Sequence, residues 1–193
     1  MRWKLCVWCC VLVLTGGCRS GQPQGAENVN GGVAETGAEK RTIKVTSSAF
    51  QEGGAIPVQY ACTGENASPP LAWAGVPAEA KTLALVLDDP DVPVTPFVHW
   101  VVYNLPAATV ELPTGVPKQA DLAGGGRQGR NGLLKIGYTG PCPPPGPAHR
   151  YYFKLYALNT TLDLPAGATK QDLMKAMYGH IIDEGQLMGR FKL

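Results

Sequence analysis

Two acids, two histidines and several rigid proline turns come from segments far apart in the chain. Asp89, Pro90, Asp91, Val92 and Pro93 precede His99 and Trp100, and after a long gap come Gly140, Pro141, Cys142, Pro143, Pro144 and then His149, Arg150 and Tyr151. Imidazoles, with exposed backbone N–H groups near Gly140, are donors for phosphoryl oxygens, and a carboxylate such as Asp89 can orient a histidine or accept from an amine. One group of each sign suits the two ends of a zwitterion. A plainer reading has Asp89 and Asp91 closing Asx turns against Pro90 and Pro93, and residue types alone leave both readings open.

Other chemistries find less support. His99, His149 and His180 are isolated singles without metal-ligand spacing, so no metal site and no cofactor are expected. No Gly-x-Ser-x-Gly elbow surrounds Ser47, Ser48 or Ser68, which speaks against a serine hydrolase and for a protein that is not an enzyme. Gly124 to Asn131 has the glycine spacing of a phosphate loop. Arg130 and Asn131 stand where the lysine and hydroxyl belong, and the segment reads as a mobile surface loop. Once Arg2 and Lys4 are set aside, 15 basic residues face 15 acidic ones, with no basic cluster to serve as a nucleic-acid footprint.

The elements that must position these groups read as mainly β. The 193 residues, 45% of them hydrophobic, suffice for one domain with a real core, and 24 glycines and 17 prolines favour turn-rich strands over a helical bundle. Strands are expected at Thr42 to Val45, Pro57 to Tyr60, Leu71 to Trp73, Thr82 to Asp88, His99 to Leu105 and Tyr151 to Leu158. Leu83 to Leu87 is apolar at every position, the mark of a strand covered on both faces and hence of the sheet centre. Thr169 to Asp172 resembles a capped helix start, Leu173, Met174, Ala176 and Met177 supply a buried stripe, and Gly179 ends it. Leu187 to Phe191 is expected to return as a closing strand.

The N-terminus carries an address. A short basic region, an apolar stretch from Leu5 to Thr15 too short to span a bilayer, and Gly16-Gly17-Cys18 make residues 1–17 read as a lipoprotein signal peptide. Leu14-Thr15-Gly16-Gly17-Cys18 resembles the bacterial lipobox, in which Cys18 is lipidated and anchors the protein to a membrane; ordinary cleavage and a free periplasmic protein are the rival. Arg19 in place of Asp favours the outer membrane if the source is Gram-negative. Residues 18–41, poor in large apolar side chains, read as a flexible tether, and 42–193 as the folded domain. Cys62 and Cys142 then form one even pair in an oxidising compartment, either a disulfide or two unrelated buried thiols. Glycosylation sequons at Asn66 and Asn159 carry no weight in a bacterial lipoprotein.

Asp89-Pro90-Asp91-x-Pro93, His99-Trp100-Val101-Val102-Tyr103-Asn104, Gly137-Tyr138-x-Gly140-Pro141-Cys142-Pro143-Pro144 and His149-Arg150-Tyr151, in this order, resemble the phosphatidylethanolamine-binding protein family. The closer likeness is to its bacterial branch, the Raf kinase inhibitor-like proteins of YbhB/YbcL type. Cys62-x-Gly64-x-Asn66-x-Ser68-Pro69-Pro70-Leu71-x-Trp73 and Ala176-Met177-x-Gly179-His180 extend the match. The resemblance implies an antiparallel β-sandwich with short C-terminal helices and a small anion-binding cavity. Its ligand-binding residues would be Asp89, Asp91, His99, Gly140, Pro141, Pro143, His149 and Tyr151, and its ligand a phosphate-like anion or a phosphorylethanolamine headgroup. It also implies a rival role, a protease inhibitor or protein-interaction module acting on an envelope protein. Val94 to Val98 and Gly132-Leu133-Leu134 depart from the family pattern beside the expected cavity.

Overall fold

The computed structural model describes residues 43–193. Thr42, the expected signal peptide and tether, and Cys18 lie outside the described residues.

Two antiparallel sheets carry the fold. Strands β1 (Lys44–Thr46), β2 (Leu71–Ala74) and β5 (Glu111–Leu112) form one in the order β1-β2-β5. Strands β3 (Thr82–Asp89), β4 (Phe97–Pro106), β6 (Arg127–Gln128), β7 (His149–Leu158) and β8 (Ile181–Phe191) form the other in the order β6-β4-β3-β7-β8. The helix α1 (Lys170–Met177) precedes β8.

The apolar run of β3 follows from its place at the centre of the larger sheet. Leu83, Leu85 and Leu87 face a core shared with Val45, Leu71 and Trp73 of the smaller sheet, while Ala84 and Val86 face a second core closed by Leu173 and Met177 of α1. Alternation along the strand thus feeds two cores at once. The helix starts as its sequence requires: Thr169 accepts from the Asp172 backbone N–H, and the Asp172 carboxylate accepts from the Thr169 backbone N–H.

Four expectations need correction. Pro57 to Tyr60 is no strand. Val58–Tyr60 is a 3-10 turn, with Tyr60 N–H bonded to the Pro57 carbonyl at 3.0 Å, and the run is too short for an alternating pattern to outweigh the proline turn. Met174 is 38% exposed, because the eight-residue helix turns only Leu173 and Met177 fully inward. The segment Gly124 to Asn131 is a loop only at its glycines. Arg127 and Gln128 pair with β4, and buried Gln128 accepts from Trp100 Nε1 at 2.6 Å and donates to the Pro117 and Gln119 carbonyls. The closing strand begins well before Leu187, at Ile181.

Candidate functional site

On β7, residues of odd number face the core between the sheets: Tyr151, Phe153 and Leu155 belong to it, and His149 lies on the same side two residues earlier. On β4, Leu87 opposes Trp100 and Asp88 opposes Val98, so His99 is the extra residue of a bulge. The bulge lets Trp100 stay in the inter-sheet core while the His99 ring meets Tyr151 of that same core at 5.3 Å and Phe97 at 4.7 Å between centroids. At the end of β3, Asp88 and Asp89 are both buried and serve opposite faces. Asp88 receives Lys154 Nζ at 3.2 Å and Lys170 Nζ at 2.5 Å, tying the first turn of α1 to the sheet. Asp89 turns the other way, to the histidines.

Asp89 is 2% exposed and accepts His149 Nδ1–H at 2.7 Å through Oδ2 and the Asp91 backbone N–H at 2.8 Å through Oδ1. The Asx turn and the histidine partnership, alternatives at the level of residue types, are therefore made by one carboxylate. Asp91 accepts the Arg150 backbone N–H at 2.8 Å and its guanidinium Nη2–H at 2.6 Å, and that side-chain bond holds the Asp91 carboxyl down at about 2.

His99 donates Nδ1–H to the Thr139 carbonyl at 2.9 Å, since a carbonyl only accepts. Burial pushes its pKa below the ordinary imidazole range, outweighing the Thr139 bond, so the ring is neutral with a lone pair on Nε2. In both histidines Nδ1 is occupied and Nε2 remains for a ligand. The Tyr151 hydroxyl is buried close to Asp89. It feels that carboxylate electrostatically, yet no hydrogen bond of ordinary geometry satisfies it, and burial raises its pKa.

The remaining wall comes from two loops joined by a disulfide between Cys62 and Cys142, whose Cα atoms are 5.4 Å apart. The Cys62 N–H donates to the Pro141 carbonyl at 3.0 Å, and the Gly140 N–H to Asn66 Oδ1 at 2.7 Å. A Cβ on Gly140 would come within 2.8 Å of the Ala61 backbone, so only glycine permits this approach. Together these segments enclose a cavity of about 480 Å³.

Of the eight residues carried over from the resemblance, Asp89, His99, Gly140, Pro143 and His149 line the cavity. Asp91, Pro141 and Tyr151 lie behind or beside it, as bonded supports and packing. Of the backbone N–H groups near Gly140 that were expected as anion donors, that of Gly140 itself is already used by Asn66. Asn66, Phe97, Leu133 and Thr139 line the cavity without having been singled out as ligand contacts. The left-handed backbone of Asn66, at φ 55°, fits an asparagine in a turn, and Phe97 and Leu133 fall in the two segments that the resemblance set beside the cavity. A shallower depression of about 960 Å³ beside α1 is lined by Lys170, Lys175, Met174 and neighbours, with no acid or imidazole.

The family profile described as Phosphatidylethanolamine-binding protein matches residues 46–192. A protein of Methanothermobacter thermautotrophicus that carries the label UPF0098 is 49% identical over 150 residues, covering 78% of this chain and 99% of its own length. Among solved structures, a protein described as a phosphatidylethanolamine-binding protein homologue from Chlamydia trachomatis is 42% identical with a TM-score of 0.72, covering 80% of this chain and 99% of its own. Escherichia coli YbcL, described as a member of the mammalian PEBP family, is 30% identical with a TM-score of 0.74, covering 79% of this chain and 99% of its own.

Proposed function

The chain belongs to the phosphatidylethanolamine-binding protein family, and from that premise we propose that residues 42–193 form a non-enzymatic binding domain for a phosphate-like anion or a phosphorylethanolamine-type headgroup. One observation carries the reading: two imidazoles line one cavity, each with Nδ1 fixed on an acceptor, His99 on the Thr139 carbonyl and His149 on Asp89. Orientation set from behind leaves both Nε2 atoms to a ligand. A phosphoryl oxygen pairs with His99 Nε2 through one shared proton, donated by P–OH to the neutral ring or by the ring as an imidazolium. Binding is favoured over covalent catalysis because the two cysteines of the cavity are joined to each other and offer no thiolate.

Calorimetric titration of the protein with inorganic phosphate and phosphorylethanolamine, beside His99→Ala and His149→Ala, tests the reading. Binding by the wild type that is lost in each variant supports it. Undiminished binding in both variants would place the ligand elsewhere.

In the same proposal the domain works at the bacterial cell envelope, held by lipid on Cys18 and standing off the membrane on residues 18–41. Mass spectrometry of the mature N-terminus, compared with Cys18→Ala, checks this. An unmodified N-terminus on the wild type would instead make the protein free of the membrane.

A further inference from the structure

We propose that the cavity selects a phosphoryl group bearing a short alkyl substituent over one bearing an ammonium; this rests on the reading of the cavity as an anion pocket. The question is where the second end of a ligand goes once its phosphoryl oxygens meet His99 and His149.

An ammonium finds a single carboxylate, already engaged. Among the described residues Asp89 is the one acid lining the cavity, and its Oδ1 and Oδ2 already accept from the Asp91 N–H and His149, so its charge is shared before a ligand arrives. Asp91, the next acid along the chain, has both oxygens on Arg150. A cation in the cavity would lose hydration and regain only the second acceptor sites of oxygens already bonded, such as those of Asp89 and the Thr139 carbonyl.

Hydrocarbon finds a prepared wall. Val92, Phe97 and Leu133 line the cavity, with Leu133 54% and its neighbour Leu134 71% exposed. This is a fixed turn. Buried Asn131 accepts the Leu133 N–H at 2.9 Å and the Lys135 N–H at 3.2 Å through Oδ1, and donates from Nδ2 to the Gly137 carbonyl at 3.0 Å. The Gly132 N–H is bonded to the Val98 carbonyl at 2.7 Å, and a Cβ on Gly132 would come within 2.6 Å of the Phe97 ring, so the turn lies directly on that ring. Leu134 follows with left-handed backbone, φ 61°, which a leucine adopts only under constraint from its surroundings. The turn thus holds Leu133 beside the mouth, half in water, where a ligand's alkyl group would cover it along with Phe97 and Val92.

n-Propyl phosphate and phosphorylethanolamine separate the two recognition chemistries, since one carries a methyl group where the other carries ammonium. Titrating the oxidised protein with both, and with inorganic phosphate, at about pH 7 should give propyl phosphate about tenfold tighter binding than phosphorylethanolamine, the scale of one apolar group in a fitted pocket. Leu133→Ser should draw that ratio towards one. Equal affinities, tighter phosphorylethanolamine, or a ratio unmoved by Leu133→Ser would overturn the inference while phosphate binding kept the anion pocket standing. Failure of all three ligands would overturn both.

Discussion

His99 is a base that folding keeps neutral, and this gives pH a definite sign. Burial lowers its folded pKa below the unperturbed 6.5, so between those two values the unfolded chain binds more protons than the folded one. Its contribution is complete above about 6.5 and is lost as pH falls through the folded pKa. Thermal unfolding of the wild type should therefore weaken over that interval, and His99→Gln should remove the component. Asp91 acts in a separate, more acid window. Held at about 2 by Arg150, its carboxyl stabilises the fold above the unperturbed 3.8 and ceases to do so as pH falls towards 2, a loss that Asp91→Asn should abolish in acid denaturation followed by circular dichroism. Ligand binding should show a third dependence. One proton must be shared between neutral His99 and a monoester oxygen, so affinity for phosphorylethanolamine should fall about tenfold per pH unit above the ester's second pKa, ~6. A flat profile there would show that no such proton is shared. Asp89, His99 and His149 were legible in the sequence because their types carry chemistry. Phe97 and Leu133 were set beside the cavity only by the resemblance, since an apolar residue becomes a cavity wall only through contacts the chain order does not reveal. The engagement of the Gly140 amide was hidden for a related reason: its partner, Asn66, is 74 residues away.

Among the elements, those whose side-chain pattern extends over several residues could be read in advance. The uniformly apolar β3, the longer β4 and β7, and the capped start of α1 all announce themselves by period or by end signals. Strands β5 and β6, of two residues each, contain no period at all and exist because their neighbours supply hydrogen bonds. The bulge at His99 was equally hidden, being a fact of pairing. Two substitutions probe element-level determinants. Thr169→Ala removes the side-chain cap of α1 and should cost about 1 kcal/mol in urea denaturation. Gly140→Ala forces a methyl group against the Ala61 backbone and should cost about 1–3 kcal/mol, with weaker ligand binding because the Asn66 contact must shift as well.

Across the whole described fold, the Cys62–Cys142 disulfide joins positions 80 residues apart and closes a loop containing β2 to β6. Restricting so long a loop in the unfolded chain is worth about 2–4 kcal/mol, so the double variant Cys62→Ser/Cys142→Ser should lose that much in equilibrium denaturation while keeping its β-sheet spectrum. An unchanged midpoint would mean that the disulfide leaves the unfolded chain no more restricted than that of the double variant. Asp88 and Asp89 connect that fold to its site in a different manner. One answers to the lysines behind the sheet, the other to the histidine in front, and they are consecutive. A slip of β3 by a single residue would put one acid in the other's place and Leu87 or Pro90 in the place it left, stranding either the lysines or the histidine. The two acids act as a parity check on assembly: any pairing out of step by one leaves the lysines or the histidine without their acid, and the frame that passes is the frame in which the cavity exists.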